Sequence, residues 1–128
     1  MLVSLLLLHL ENIITVLKKY YLGEFEEIVL LATAILHKSA YGVAIKDEIE
    51  SQLSREVSMG ALHTALLRLE EKGYIRSTNG ESTEERAGRP RKYYEITALG
   101  KKAITYARES REKMWKAIPK FVLELNHM

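Results

Sequence analysis

The stretch SMGALHTALLRLEEKGYIRST, Ser58–Thr78, changes character at its second glycine. Up to Lys72 its apolar residues recur at helical spacing, with Leu62, Ala65, Leu66 and Leu69 on one stripe. Ser58 is placed to cap that helix and Gly73 to end it. Beyond Gly73, Tyr74 and Ile75 open a run with the aromatic and β-branched character of a strand. The face opposite the stripe carries Gly60, Thr64, Leu67 and Glu71, flanked by Ala61, His63 and Arg68. Small and polar residues on that face leave it free for something other than the core.

Downstream, NGESTEERAGRPR (79–91) is polar and holds Gly80, Gly88 and Pro90, so it reads as a long hairpin loop. KYYEIT (92–97) is the returning strand. Charge is segregated along the loop. Glu81, Glu84 and Glu85 come first, then Arg86, Arg89, Arg91 and Lys92 with no acid among them. Alternation along the returning strand assigns Tyr94 and Ile96 to the core face and turns Tyr93 outward. The tyrosine pair equally suits simple strand packing.

Upstream lie two more helical patterns. One has Phe25, Ile28, Val29, Ala32, Ile35 and Leu36; the other has Val43, Ala44, Ile45, Ile49 and Leu53. Three closely spaced helices, a hairpin and a further helix make a winged helix-turn-helix. The fold class expected is therefore mainly α with a small β-hairpin (α+β), with N- and C-terminal helices for dimerisation. In such a fold the helix over 58–72 enters the major groove and the wing over 79–92 lies on phosphates or the minor groove. Gly60 and Ala61 then allow close approach. Ser58, His63 and Thr64 offer hydrogen-bonding groups, and Arg68 reaches a phosphate or guanine. Arg89, held between Gly88 and Pro90, is the candidate for a narrow A·T-rich minor groove. Arg91 and Lys92 suit phosphates, as does the Tyr93 hydroxyl, and Arg86 is a further DNA-binding candidate of the wing. Taken singly, a serine cap or an exposed histidine is more often structural; their collection on one uncovered face favours the DNA-reading assignment.

The segment after the hairpin, residues 98–128, carries Ile104, Trp115, Ile118, Val122 and Leu125 in one stripe and Ala103, Ala107, Met114 and Phe121 in its neighbour. That is more apolar surface than a lone helix can expose, so Ile104, Ala107, Met114, Trp115, Ile118, Phe121, Val122 and Leu125 are expected at a dimer interface. Pro119 should end or kink the helix near Ile118. Residues 1–21 form a leucine-rich helical arm. Its apolar run is too short and too interrupted by Ser4, His9, Glu11 and Asn12 to span a bilayer, and it lacks the basic start of a secretory signal. The arm is expected to bury its leucines against the same chain or a partner subunit. Residues 22–97 are the DNA-binding domain.

Composition narrows the alternatives. The 128 residues are 47% apolar and 28% charged, which places the chain among globular domains. A net charge of +2 means that nucleic-acid binding has to come from where the charge lies. Cysteine is absent, which removes disulfides and thiolate metal sites. His9, His37, His63 and His127 fall in no metal-ligand spacing, and no phosphate-loop, dinucleotide-binding or nucleophile-elbow pattern occurs. No catalytic residue, metal or cofactor is assigned.

With these residues in view, the chain resembles the PadR family of bacterial transcription regulators. LGEFEEIVLLATAIL resembles the family's first winged-helix segment, and YGVAIKDEIE its second helix, which typically opens with Tyr-Gly. VSMGALHTALLRLEEKGYI resembles its recognition helix, and ERAGRPRKYYEITALGKKAI its wing tip, second wing strand and the start of its C-terminal helix. The resemblance spans roughly Leu22 to Ile104. It implies a cytoplasmic homodimeric DNA-binding repressor of the compact branch, dimerising through its C-terminal helix. Some members release DNA on binding small aromatic compounds near the dimer interface, one branch by stacking them on tryptophans of that helix, where Trp115 lies. Dimer packing is the favoured reading of Trp115. His63 stands where the family commonly has tyrosine and Leu67 where it has a basic residue, and the leucine-rich arm is not a standard feature. The competing reading is a winged-helix protein-interaction module, suggested by the low net charge and by Leu67.

Overall fold

The computed structural model describes residues 1–19, 21–82 and 86–124. Its elements are α1 (Leu2–Lys19), α2 (Glu24–Leu36), α3 (Gly42–Leu53), α4 (Met59–Glu71), β1 (Ile75–Ser82), β2 (Pro90–Ile96) and α5 (Ala98–Ala117). Short 3-10 turns follow α2 at His37–Ser39 and α5 at Lys120–Leu123. This is the expected mainly helical winged helix with a two-stranded antiparallel wing.

Three helices and the root of the hairpin share one core. Val29 and Leu30 of α2, Ile45 and Ile49 of α3, and Leu62, Leu66 and Leu69 of α4 are buried with Tyr74 and Ile75. The stripe read from α4 is the buried one. On α2 and α3 the helical spacing overreached: Ile35, Val43 and Leu53 are exposed, while Leu30 and Thr33 take core positions. Thr33 is tolerated there because its hydroxyl donates to the Val29 carbonyl at 2.8 Å.

Local chemistry sets the ends of each element. Glu24, Glu26 and Glu27 crowd the first turn of α2, where the helix dipole favours negative charge. Glu26 accepts from the Gly23 N–H at 3.1 Å and pairs with Lys72 at 2.8 Å. Buried Glu27 is matched by Arg111 of α5, which ties the two helices together. The turn between α3 and α4 is stapled by Glu50. Its carboxylate accepts from the Val57 N–H at 2.8 Å and from Lys46 at 3.0 Å. Those bonds, the backbone one first, hold the Glu50 carboxyl below its ordinary range.

A depressed folded-state value gives stability that is present above the unfolded value and lost as pH falls through the folded one. The native chain should therefore exceed Glu50→Gln in stability at neutral pH. The gap should close as pH drops below the ordinary value of 4.5. Paired denaturant titrations across that range check this; a constant gap would remove Glu50 as the staple.

The strands extend further into the wing than the sequence suggested. β1 runs to Ser82 and β2 starts at Pro90, with a register shift between Asn79 and Ser82. Proline is admitted at the first position of a strand. The hairpin is also bonded to the body: the Tyr94 N–H donates to the Ala40 carbonyl at 2.7 Å, and Tyr41 bridges to Tyr93. The wing is thus rooted on the start of α3 as well as at its own base.

α5 stops at Ala117, with Ile118 capping and Pro119 preventing continuation, as expected. The leucines from Leu2 to Leu10 do not fold back onto the chain. Leu2, Val3, Leu5, Leu6, Leu7, Leu8 and Leu10 are 53–78% exposed, which excludes the intramolecular half of the burial expectation for them.

Candidate nucleic-acid interface

α4 presents its N-terminal half to solvent. Ser58 caps it, accepting from the Ala61 N–H at 3.1 Å, and leaves Gly60, Ala61, His63, Thr64 and Arg68 exposed on the uncovered surface. The face is not uniform. His63 and Met59 look into a cleft of about 610 Å³ whose far wall is the wing, formed by Asn79, Arg86, Arg89, Pro90, Arg91 and Lys92. Gly60, Ala61, Thr64 and Arg68 look the other way, onto a groove shared with Gly23, Phe25 and Glu26 of the α2 start. So His63 joins the wing cations, whereas Thr64 and Arg68 do not.

Thr64 carries a constraint invisible in the sequence. Its hydroxyl donates to the Gly60 carbonyl at 3.0 Å. Its hydrogen is thereby engaged, leaving lone pairs to accept from a base amino group such as adenine N6 or cytosine N4. Leu67 is 58% exposed and lines neither hollow on this face.

The wing cations are held in place. Arg89 donates from its backbone and its Nε to the Arg86 carbonyl at 3.1 and 3.2 Å. The turn that allows this uses left-handed backbone at Ala87 and Gly88. The Arg91 guanidinium lies 4.1 Å from the ring centre of Tyr41, a cation–π stack. Tyr41 meets Tyr93 edge to face at 5.8 Å. Tyr93 is therefore half-buried rather than fully outward, and its ring lies across Gly80. A packed tyrosine next to a stacked arginine fixes the wing's angle and leaves Tyr93 less surface for a phosphate.

The electrostatics of the cleft are one-sided. Among the described residues its lining holds Arg86, Arg89, Arg91, Lys92 and His63 and no carboxylate. The Nε atoms of Arg86 and Arg91 are buried without a hydrogen-bond acceptor. Buried donors without acceptors are costly. Tyr41, Met59 and Asn79 belong to this cleft and were missed as site residues in the sequence. The Tyr-Gly pair at 41–42 was visible; its place under Arg91 comes only from the β2 bridge. Thr83, Glu84 and Glu85, the acidic side of the loop, lie outside the described residues.

Of the expected dimer residues, Met114, Trp115, Phe121 and Val122 are exposed in the single chain, while Ile104, Ala107 and Ile118 are half-buried. Leu125 lies outside the described residues. Among the described residues no group of His, Asp or Glu is arranged to hold a metal, and no helix is long and apolar enough to cross a membrane.

Gly60 offers a separable test. A Cβ built there meets nothing within 4 Å. Gly60 lies in the first turn of α4, so its replacement with alanine should raise stability, by less than the about 1 kcal/mol of a helix-interior site. The added methyl would stand on the surface expected to approach DNA. Gly60→Ala is thus expected to melt higher and bind DNA more weakly. A variant that gains stability without losing affinity would place Gly60 away from the DNA.

Residues 30–106 match the Transcriptional regulator PadR-like family. A transcriptional regulator from Clostridium thermocellum is similar in structure at TM-score 0.61 and 33% identity, covering 76% of this chain and 91% of that one. A PadR-like transcription factor from Bacteroides fragilis is similar at TM-score 0.62 and 27% identity, covering 82% and 93%. An uncharacterized protein from Lysinibacillus sphaericus is 35% identical over 81 residues, 62% of this chain and 70% of that one.

Proposed function

The chain belongs to the PadR-like family of transcriptional regulators, and from that premise we propose that it is a cytoplasmic, homodimeric repressor that binds a specific DNA sequence. α4 enters the major groove, and the wing places its cations on the flanking phosphates or in the minor groove. The observation that carries this reading is the cleft between α4 and the wing, lined by four cationic side chains and His63 with no acid among the described residues. That arrangement suits a phosphate backbone drawn against the recognition helix. His63 at the cleft and Thr64 on the opposite flank face base edges. Arg89 remains the candidate for the minor groove.

In a two-fold dimer the two recognition helices read successive major grooves about 34–36 Å apart, so the operator is an inverted repeat. Selection from a random duplex DNA pool tests this. A two-fold symmetric site is expected, and substitutions of His63 or Thr64 should change the preferred bases. Enrichment of an unsymmetric site would remove the dimeric reading of the operator.

Exposed Leu67 favours a second reading, a winged-helix module that binds another protein. It predicts DNA affinity no tighter than non-specific, roughly 10⁻⁴–10⁻⁶ M at physiological salt. An equilibrium titration against the selected site separates the two.

A further inference from the structure

The function proposed above leaves α1 without a role. This helix precedes the segment that matches the family, and it carries the largest run of uncovered aliphatic surface in the described chain. We infer that α1 is a dimerisation arm whose occupant is a second copy of this chain. The inference extends the dimeric reading and rests on it, adding an interface that α5 alone does not supply.

The pattern of α1 is that of a helix meant for other helices. Val3, Leu7 and Leu10 fall at alternating spacings of four and three, and the sequence repeats the spacing at Ile14 and Leu17. Leu2 and Leu6 widen that seam on one side. No charged residue occurs from Leu2 to Leu8. A face this broad suits packing against more than one helix, as in a four-helix arrangement that also covers Met114 and Trp115 of α5.

The size is also right for a second copy. Seven aliphatic side chains, each more than half exposed, offer several hundred Å² at roughly 100 Å² for a fully buried aliphatic group. A stable interface buries about 800 Å² per partner, and the α5 face supplies the remainder.

The root of the arm is fixed away from the DNA. Lys72, the C-cap of α4, donates to the Tyr21 carbonyl at 3.1 Å and sits 5.2 Å from the Tyr21 ring centre. α4 has 13 residues, so this anchor lies about 20 Å along the helix from the DNA-facing cap at Ser58. An arm leaving from there is placed to join two protomers behind the DNA-reading surface. It is also bonded to the helix whose spacing across the dimer matters.

The chain has no cysteine, so Leu7→Cys introduces a single thiol. In the full-length variant, its reaction with a water-soluble maleimide is measured across protein concentration, beside sedimentation equilibrium of the native chain. The expected result is at least tenfold protection in the dimer, disappearing as dilution gives monomer. Leu6→Glu/Leu10→Glu should raise the dimer dissociation constant at least a hundredfold, with the helical circular dichroism of the winged domain retained. Protection independent of concentration would overturn the inference, as would protection appearing only with anionic phospholipid vesicles, which would assign the arm to a lipid surface. A dimer constant unchanged by the double substitution would overturn the arm and leave the dimeric regulator standing. A native chain that is monomeric throughout would remove both.

Discussion

Replacing Arg89, Arg91 and Lys92 together with alanine should lower operator affinity by about 10²-fold per wing at 0.15 M salt, or about 10⁴-fold for a two-winged dimer. The size follows from counterion release. Each phosphate charge neutralised, from the backbone side or from within the minor groove, contributes about 0.9 to the slope of log affinity against log salt, so three lost cations remove roughly 2.7 per wing. Extrapolated from 1 M salt, where that contribution vanishes, to 0.15 M, this slope yields the hundredfold loss. The three cations line one cleft together, and among the described residues that lining holds no acid. Base preference in the major groove should survive, because α4 is untouched. Arg91→Lys is expected to fall between native and alanine. It keeps the charge but loses the planar stack on Tyr41 at 4.1 Å. Affinity measured at four or five salt concentrations decides the matter. A triple variant with the native slope would make the wing a solvated loop and favour the protein-interaction reading.

Where the sequence succeeded and where it failed have the same physical root. Helix α4 was legible because one stripe, Leu62 to Leu69, must be buried and everything opposite must not be. The Ser58 cap and the left-handed Gly73 were legible because few other residues do those jobs as well. The wing was legible as a charge pattern, but its strands were read too short. Their outer parts carry Asn79, Gly80 and Ser82, residues with little strand preference, and they pair because the register is already set at Ile75–Ile96. Tyr93 shows the limit most clearly. Alternation alone turns it outward. The bridge to Tyr41, some fifty residues upstream, brings it half under cover. Ile35 and Val43 erred the other way, since helical spacing identifies an apolar face without saying whether another element will cover it. Thr64 was singled out correctly as exposed, yet its engaged hydroxyl depends on a rotamer that the sequence does not encode.

Gly100→Ala should be the most damaging single methyl in the described chain, costing about 3 kcal/mol or more although alanine is the better helix former. Gly100 lies in the first turn of α5, where Thr97 caps the helix by accepting from the Gly100 N–H at 3.0 Å. The same threonine donates to the Gly73 carbonyl at 2.6 Å, and its own N–H donates to the Tyr74 carbonyl at 3.0 Å. The start of α5 is therefore locked onto the turn that leaves α4. At Gly100 the backbone of that turn is so close that an added Cβ would overlap the Tyr74 carbonyl oxygen, with Ile96 Cγ1 at 2.8 Å and the Tyr74 carbonyl carbon at 3.0 Å. Neither backbone atom can move without breaking the Thr97 bonds, and Tyr74 is fully buried. The gain of up to about 1 kcal/mol from helix propensity is smaller than this overlap. Relief would come from lifting α5, which carries the expected dimer face, away from the winged domain, so dimerisation should weaken along with stability. Denaturant unfolding of Gly100→Ala beside Gly60→Ala checks the argument, since the same substitution is expected to have opposite signs at the two sites. Equal stabilisation by both would mean that α5 is not seated on the Tyr74 backbone, and that its position relative to α4 is set elsewhere.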